Sequence, residues 1–226
     1  MKAYIIGDKN NNVSVEAVKR CKESFTYPLE FFQQTSPETL GDDRNIFSNI
    51  SWTYPLNDSF RIDEETGMTL RGYRVNSLAR VFSCTISHAK LWLKCVESKE
   101  DTMILEHDAI FTRKFKLFDW EGGVLGLNDP RGATHSSLFY HSVVSRIEGV
   151  QNAPWVKPKL EIPQGLAGNS AYIIKPYFAE KLLEKLKQKG AWPNDSIMCK
   201  QFFHNELKVI YPYYTRVQGV QSTTTL

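Results

Sequence analysis

Short apolar runs alternate with a helical pattern along the first part of the chain. Residues 3–6 are Ala-Tyr-Ile-Ile, closed by Gly-Asp, which is typical of a buried strand that enters a turn. The apolar positions from residue 13 to 21 keep helical spacing, and residues 27–32 form a second apolar, aromatic run. Strand, helix and strand within about 30 residues predict a βαβ unit and therefore a parallel sheet.

The most regular helical pattern runs from about residue 77 to 97. Its apolar residues follow i, i+3, i+4, i+7 spacing and form one stripe, and Asn76 or Ser77 can cap the first turn. His88 falls at the edge of this stripe. Ser87 falls opposite to it, so we expect Ser87 to face solvent or another element.

Three further apolar runs and one more helix complete the pattern. Residues 102–105, 124–127 and 171–174 predict strands, and Pro176 begins a helix that ends at a glycine. Residues 36–73 keep no period and predict a long irregular segment, which is often functional. We therefore expect one domain over residues 1–215, with a loosely held polar tail over residues 216–226.

Composition agrees with a folded domain and narrows the class of protein. Among 226 residues, 42% are hydrophobic and 23% charged, enough for a core without disulfides or structural metals. The net charge of +3 is too small to indicate nucleic-acid binding by itself. Four cysteines without a CxxC pair favour reduced thiols over a disulfide framework or a zinc site. No apolar run reaches the length of a membrane span, and the start lacks a signal-peptide pattern, so we expect a cytoplasmic protein.

The predicted strand 102–105 is followed at once by Glu106, His107 and Asp108. Divalent cations on a diphosphate prefer hard oxygen ligands, and the carboxyl end of a central strand is where a sheet's ligand crevice opens. Glu106 and Asp108 are two residues apart and can point the same way, one to a ribose hydroxyl and the other to a metal. The alternative from the local sequence alone is that Glu106 and Asp108 are ordinary solvated loop residues. For His107, strand alternation favours packing over a place in the metal shell.

The context of this acidic strand end carries a resemblance. Residues 84–92 (Cys-Thr-Ile-Ser-His-Ala-Lys-Leu-Trp) and then 103–109 (Met-Ile-Leu-Glu-His-Asp-Ala) resemble glycosyltransferase family 25, which includes bacterial lipopolysaccharide-type sugar transferases and collagen galactosyltransferases. Residues 168–174 and 192–195 match two later motifs in the same order, so the resemblance covers roughly residues 78–215. Two departures are His107, where the family has an acid, and residues 5–9, which replace an Ile-Asn-Leu-x-Arg signature.

The resemblance implies a fold, a donor and roles for five residues. The expected fold is α/β, of the GT-A type that binds nucleotide sugars, with a mostly parallel central sheet flanked by helices. The donor would be a nucleotide sugar, UDP-linked in the best-known members, with Mn²⁺ or Mg²⁺. Asp108 would bind the metal and Glu106 the ribose or the metal shell, while Ser87 and His88 would contact the donor. Asp195 would be the general base of an inverting transfer, its local alternative being a helix cap. The local alternative for His88 is a half-buried histidine hydrogen-bonded to the sheet.

The sequence therefore predicts metal-dependent transfer of a sugar to an acceptor hydroxyl. The family's default acceptor is a glycan, with residues 36–73 and the polar tail as candidates for recognising it. One alternative is a transferase acting on hydroxymethylated bases in DNA, because basic and aromatic residues can grip nucleic acid together. The basic groups are Arg71, Arg74 and Arg80, and Arg113, Lys114 and Lys116 interleaved with Phe111, Phe115 and Phe118. Another alternative is a protein that binds nucleotide sugars or glycans without catalysis.

Overall fold

The computed structural model describes residues 1–43, 47, 50–131 and 136–219, in which helices and strands alternate. The strands are β1 Lys2–Gly7, β2 Glu30–Gln33, β3 Phe60–Ile62, β4 Thr69–Arg71, β5 Thr102–Glu106, β6 Ala109–Phe111, β7 Val124–Gly126, β8 Gly149–Asn152, β9 Ala171–Ile174, β10 Leu207–Tyr211 and β11 Thr215–Val217. The helices are α1 Asn12–Ser24, α2 Leu40–Asp43, α3 Leu78–Ser98, α4 Ser137–Val144, α5 Pro176–Lys189, α6 Asn194–Ile197 and α7 Lys200–Phe203. Within these ranges, no helix is both long and apolar enough to cross a lipid bilayer.

Seven of the described strands form a central sheet in the order β2-β1-β5-β9-β7-β10-β8. The expected βαβ unit is present, because β1 and β2 pair in parallel across α1. β1 also pairs in parallel with β5, and β7 with β10. β9 runs antiparallel to both of its neighbours, and β8 antiparallel to β10. Five of the seven strands therefore point one way, which confirms the expected mixed α/β fold with a mostly parallel sheet.

Side chains alternate along the central strands and supply two hydrophobic cores, one on each face of the sheet. On β5, Ile104 belongs to the first core, whereas Met103 and Leu105 belong to the second. The first core includes the fully buried Trp92 of α3 and Phe178 of α5. Helices therefore flank the sheet, as the apolar stripes of α3 and α5 predict.

Helix α3 is buried on more of its surface than its stripe indicates. Ser77 caps its first turn by accepting from the backbone N–H of Arg80. The stripe residues pack on the sheet, but Ser83 and Ser87 on the other side are also buried. Residues 36–73 are irregular only in part: they include α2, which packs against α3, and the β3–β4 hairpin, and they place Leu40 in the first core.

The C-terminal segment is better ordered up to residue 219 than expected. β11 pairs antiparallel with β6, with Arg216 opposite Ile110. After β11, the backbone N–H of Gln218 donates to the carbonyl of Asp108 at 2.7 Å. Residues 216–218 therefore belong to the folded domain rather than to a loose tail, because they complete a two-stranded ladder beside the acidic strand end. Residues 220–226 of the expected tail lie outside the described part of the chain.

Gly123, just before β7, tests how tightly α5 packs on the sheet. A Cβ at this position would lie 2.3 Å from Cγ of the fully buried Phe178. We expect Gly123→Ala to lower the free energy of unfolding by about 1–3 kcal/mol, because the ring must shift to admit a methyl group. Urea denaturation measures this change. Gly41→Ala is the matched control, since nothing lies within 4 Å of its Cβ, and equal losses at both positions would contradict the packing argument.

Candidate active site

Three strand ends meet at one edge of the central sheet and open into a cleft of about 700 Å³. β1 and β5 contribute their carboxyl ends, and the antiparallel β9 contributes its amino end. The chain leaves β1 for β2 on one side and returns as β5 on the other, which is the kind of switch point where open α/β sheets bind ligands. The volume falls within the range of roughly 300–1,000 Å³ that is usual for small-molecule sites.

All five site residues predicted from the sequence line this cleft. Ser87 and His88 lie on α3, Glu106 at the end of β5, Asp108 just after it, and Asp195 on α6. The fold therefore brings together residues that are distant in sequence, since Ser87 and Asp195 are 108 positions apart. Their chemical roles stay predictions.

A chain of buried hydrogen bonds runs from α3 through β9 to the acidic strand end. Trp92 Nε1 donates to the hydroxyl oxygen of Tyr172 at 2.9 Å. That hydroxyl lies 2.8 Å from His88 Nδ1, and His88 Nε2 lies 3.2 Å from Glu106 Oε1. Trp92 and Tyr172 are fully buried, and His88 is 1% exposed. His88 is thus bonded to the sheet, as the local alternative expects, but it is buried rather than half-buried. It also lines the cleft, and its contact with a donor stays a prediction.

The partners in this chain fit a tautomer of His88 that carries its hydrogen on Nε2. An indole N–H only donates, so the Tyr172 oxygen accepts from Trp92 and its own hydrogen is available to His88 Nδ1. Nε2–H then faces Glu106 and donates to a carboxylate oxygen. In this tautomer His88 orients one oxygen of Glu106, and the indole and phenol hold the imidazole in place.

Glu106 and Asp108 form a pair of like charges in a partly buried site. Burial, and then the negative charge of Glu106, raises the pKa of Asp108 to about 7. Asp108 Oδ1 is buried and has no hydrogen-bond partner among the described residues. A divalent cation between the two carboxylates would remove the repulsion and satisfy that oxygen, so the pair fits a hard cation such as Mn²⁺ or Mg²⁺.

Asp195 lies in the first turn of α6, whose N-cap is Pro193 and has no side-chain capping bond. The capping alternative for Asp195 is therefore wrong: it is a helical residue, and its Oδ1 accepts from the Ser196 hydroxyl at 3.4 Å. Its side chain is open to the cleft, but the surrounding walls limit its hydration. Desolvation and the charge of Glu106 raise the pKa of Asp195.

Ser87 makes anchoring hydrogen bonds, and His107 is buried. The Ser87 hydroxyl donates to the carbonyl of Ser83 at 2.8 Å and accepts from the N–H of Thr35 at 2.9 Å. It thereby ties the loop after β2 to α3, which explains why Ser87 faces another element rather than solvent. His107 is 7% exposed, and burial lowers its pKa. Its ring is packed as strand alternation predicted, although it still borders the cleft.

Four neutral polar residues in the cleft were not recognised from the sequence as site residues. Buried side-chain atoms without a hydrogen-bond partner among the described residues occur in Ser83, Asn169, Ser170 and Asn194. All four line the cleft. The available signal was position: Asn169 and Ser170 directly precede β9, and Asn194 begins α6. Buried polar atoms that lack partners indicate a site for a polar ligand.

Tyr172→Phe tests the buried hydrogen-bond chain. Without the hydroxyl, Trp92 Nε1–H and His88 Nδ1 lose their partner in a buried place. We expect the free energy of unfolding to fall by about 1–3 kcal/mol, as measured by chemical denaturation. Tyr177→Phe is the control, because its hydroxyl bonds Glu206 at the surface and its loss should cost less. Equal losses in the free energy of unfolding for the two variants would show that the buried hydrogen bonds stabilise the fold no more than a surface one.

The chain was compared with curated proteins and with solved structures. No curated protein matches the sequence of the chain. Among solved structures, the glycosyltransferase GlyE of Streptococcus pneumoniae TIGR4 is similar with a TM-score of 0.38 and 11% identity, over 92% of this chain and 44% of that protein. Mouse xyloside xylosyltransferase 1, in its apo form, is similar with a TM-score of 0.34 and 8% identity, over 88% of this chain and 80% of that one. The chain thus spans less than half of the length of the pneumococcal protein.

A family comparison covers the centre of the candidate site. The family "Glycosyltransferase family 25 (LPS biosynthesis protein)" matches residues 68–119. This segment contains α3 and the acidic strand end, with four of the five predicted site residues. The resemblance to glycosyltransferase family 25 expected from the sequence is therefore confirmed over residues 68–119, and the match supports glycosyltransferase activity.

Proposed function

We propose that this chain transfers a sugar from a nucleotide sugar, UDP-linked in the simplest case, to an acceptor hydroxyl with the help of a divalent cation. The observation that carries the proposal is the cleft itself. It combines the Glu106–Asp108 pair, which suits a cation on a diphosphate, with buried neutral groups that have no hydrogen-bond partner in the described part of the chain. Such groups suit the hydroxyls of a sugar.

Glu106 and Asp108 would hold Mn²⁺ or Mg²⁺. A cation held there would offset the negative charge that develops on the leaving diphosphate. His88 keeps Glu106 oriented through its Nε2–H, so that the other carboxylate oxygen remains available. Asp108 contributes the buried Oδ1, whose missing hydrogen bond a cation would replace.

Asn169 and Asn194 would recognise the donor sugar. A primary amide both donates and accepts, so it can match the donor and acceptor sides of a hydroxyl. Both side-chain polar atoms of Asn169 and the Nδ2 atom of Asn194 are buried without a partner among the described residues. A ligand that leaves these groups unpaired would bind weakly, because unpaired buried polar groups cost free energy.

Asp195 would act as the general base. It takes the proton of the acceptor hydroxyl while the acceptor oxygen forms a bond to the anomeric carbon and the bond from that carbon to the diphosphate breaks. Attack opposite to the leaving group inverts the anomeric carbon, as in the family that the chain resembles. The raised pKa of Asp195 makes it a stronger base than an ordinary aspartate.

A glycan is the acceptor that we propose, rather than a DNA base. Both ends of the segment 36–73 line the cleft through Ser36 and Tyr73, which supports a role for this segment in recognising the acceptor. The aromatic residues expected to stack on nucleic acid are engaged elsewhere: Phe111 and Phe115 are buried in the second core. Arg113 donates to the carbonyl of Tyr213 and lies over the ring of Tyr214.

Nucleotide release from a panel of nucleotide sugars tests the proposal directly. We expect one donor to release its nucleotide with Mn²⁺ and not with a chelator. Asp108→Asn should lower the rate by at least about 100-fold, because it removes a charged cation ligand. Asp119→Asn changes an exposed acid outside the cleft and should keep the rate.

The panel also separates the alternatives. Donor binding without release in the presence of glycan acceptors would favour a binding protein without catalysis. No binding of any donor would contradict the transferase proposal. Acceptor binding that weakens steeply with salt would favour the DNA alternative over the glycan.

The dependence of kcat on pH tests Asp195. A base must be ionised, so kcat should rise with pH through the pKa of Asp195, and this rise should lie above the pH range of an ordinary aspartate. Burial and the charge of Glu106 raise this pKa, whereas hydrogen bonds from Ser196 lower it. Asp195→Asn should abolish most of kcat and flatten its rise. A variant that keeps the full rise would exclude Asp195 as the base.

A further inference from the structure

A thiol and an imidazole, both possible metal ligands, lie next to the acidic strand end. Cys84 precedes His88 by one helical turn on α3, so both side chains project from the same face. The ligand atoms of Cys84, His88 and Glu106 all lie within 4.8 Å of one another. The three residues come from two elements that the buried hydrogen-bond chain already holds together.

The donor set differs in chemistry from the Glu106–Asp108 pair. A thiolate, an imidazole and a carboxylate are ligands that Zn²⁺ accepts in tetrahedral sites, whereas Mn²⁺ and Mg²⁺ prefer oxygen ligands alone. Zinc sites with three protein ligands keep a fourth position for water or another ligand. Here all three residues line the cleft, so that position would face its interior.

The surroundings of His88 suit a metal ligand as well. Metal-bound histidines usually form a hydrogen bond through the second ring nitrogen, which fixes the ring. His88 Nδ1 has such a partner in the hydroxyl of Tyr172 at 2.8 Å. With a cation on Nε2, the imidazole hydrogen would sit on Nδ1 and be donated to the Tyr172 oxygen.

We infer that Cys84, His88 and Glu106 form a binding site for a thiophilic divalent cation, Zn²⁺ in the first place, with its fourth coordination position open to the cleft. On binding, the Cys84 sulfur loses one proton to solvent and forms a bond to the cation. The hydrogen on His88 moves from Nε2 to Nδ1, and Glu106 exchanges the hydrogen bond from His88 for a bond to the cation. No electron transfer is involved.

This site shares Glu106 with the proposed catalytic cation. Zn²⁺ bound to Cys84 and His88 would draw Glu106 away from Asp108, so micromolar Zn²⁺ should inhibit Mn²⁺-dependent nucleotide release. This consequence rests on the proposed function, but the binding itself does not.

Titration of the purified chain with Co²⁺ tests the binding without any nucleotide sugar. Co²⁺ replaces Zn²⁺ in such sites and reports a thiolate ligand by a charge-transfer band in the near ultraviolet. We expect one equivalent to produce this band together with intense visible bands of four-coordinate cobalt, and Zn²⁺ to remove them. Cys84→Ser should abolish the charge-transfer band and weaken Zn²⁺ binding by at least about tenfold.

Cys199→Ser is the matched control, because Cys199 is a buried free thiol outside the cluster. It should keep the band. A second measurement uses only the natural sequence: Zn²⁺ should slow the alkylation of Cys84 by iodoacetamide, as located by peptide mass spectrometry. No charge-transfer band in the natural protein, or the same band in folded Cys84→Ser, would overturn the inference. Neither result depends on whether Asp108-dependent nucleotide release is observed.

Discussion

The hydrogen bond between His88 and Glu106 joins the long helix α3 to the end of the central strand β5, and the geometry of the cleft depends on it. Both elements are held firmly on their own, β5 by its two neighbours in the sheet and α3 by the first core. At the cleft the imidazole of His88 connects them, and Tyr172 and Trp92 fix this ring from behind. A side chain locked in this way can place a carboxylate within a few tenths of an ångström, which binding of a cation and a diphosphate requires.

The antiparallel orientation of β9 has a direct consequence for the site. In an all-parallel sheet, the edge that carries Glu106 would hold only carboxyl ends of strands. Because β9 runs the other way between β5 and β7, its amino end lies at the same edge, and the carbonyl of Ser170 accepts from the N–H of Glu106 at 2.8 Å. The same strand brings Asn169 to the cleft and Tyr172 to His88. One reversed strand therefore brings two of the four neutral polar residues, Asn169 and Ser170, to the cleft and supplies part of the support behind its acids.

Periodicity predicted most of the elements, because α1, α3 and α5 each place one apolar face on the sheet and the central strands are short apolar runs between turn residues. The acidic strand end and Asp195 were also predictable, since the ordered motifs that resemble glycosyltransferase family 25 carry them. The direction of β9 was not, because a buried strand looks the same in either direction. The burial of Ser87 and the strand β11 depend on contacts with segments distant in sequence, which a local pattern does not contain. Asn169 and Asn194 were missed for a related reason: only the folded chain shows that both polar atoms of Asn169 and Nδ2 of Asn194 are buried with no hydrogen-bond partner among the described residues.

The acidic pair is a feature that folding alone would not favour. Burial and the charge of Glu106 raise the pKa of Asp108 above that of an unfolded aspartate, so its ionised form opposes folding. The loss of folding stability is complete at pH values above the raised pKa of the folded chain. It disappears at pH values below the ordinary pKa, because Asp108 is then protonated in both the folded and the unfolded chain. A cation that binds the folded chain offsets the cost, because it interacts with the ionised form and adds the free energy of binding to that of folding. Both the hard cation proposed at Asp108 and the thiophilic cation proposed at Cys84 would use Glu106. Competition for this one carboxylate is therefore the simplest way in which the kind of metal available could control the reaction.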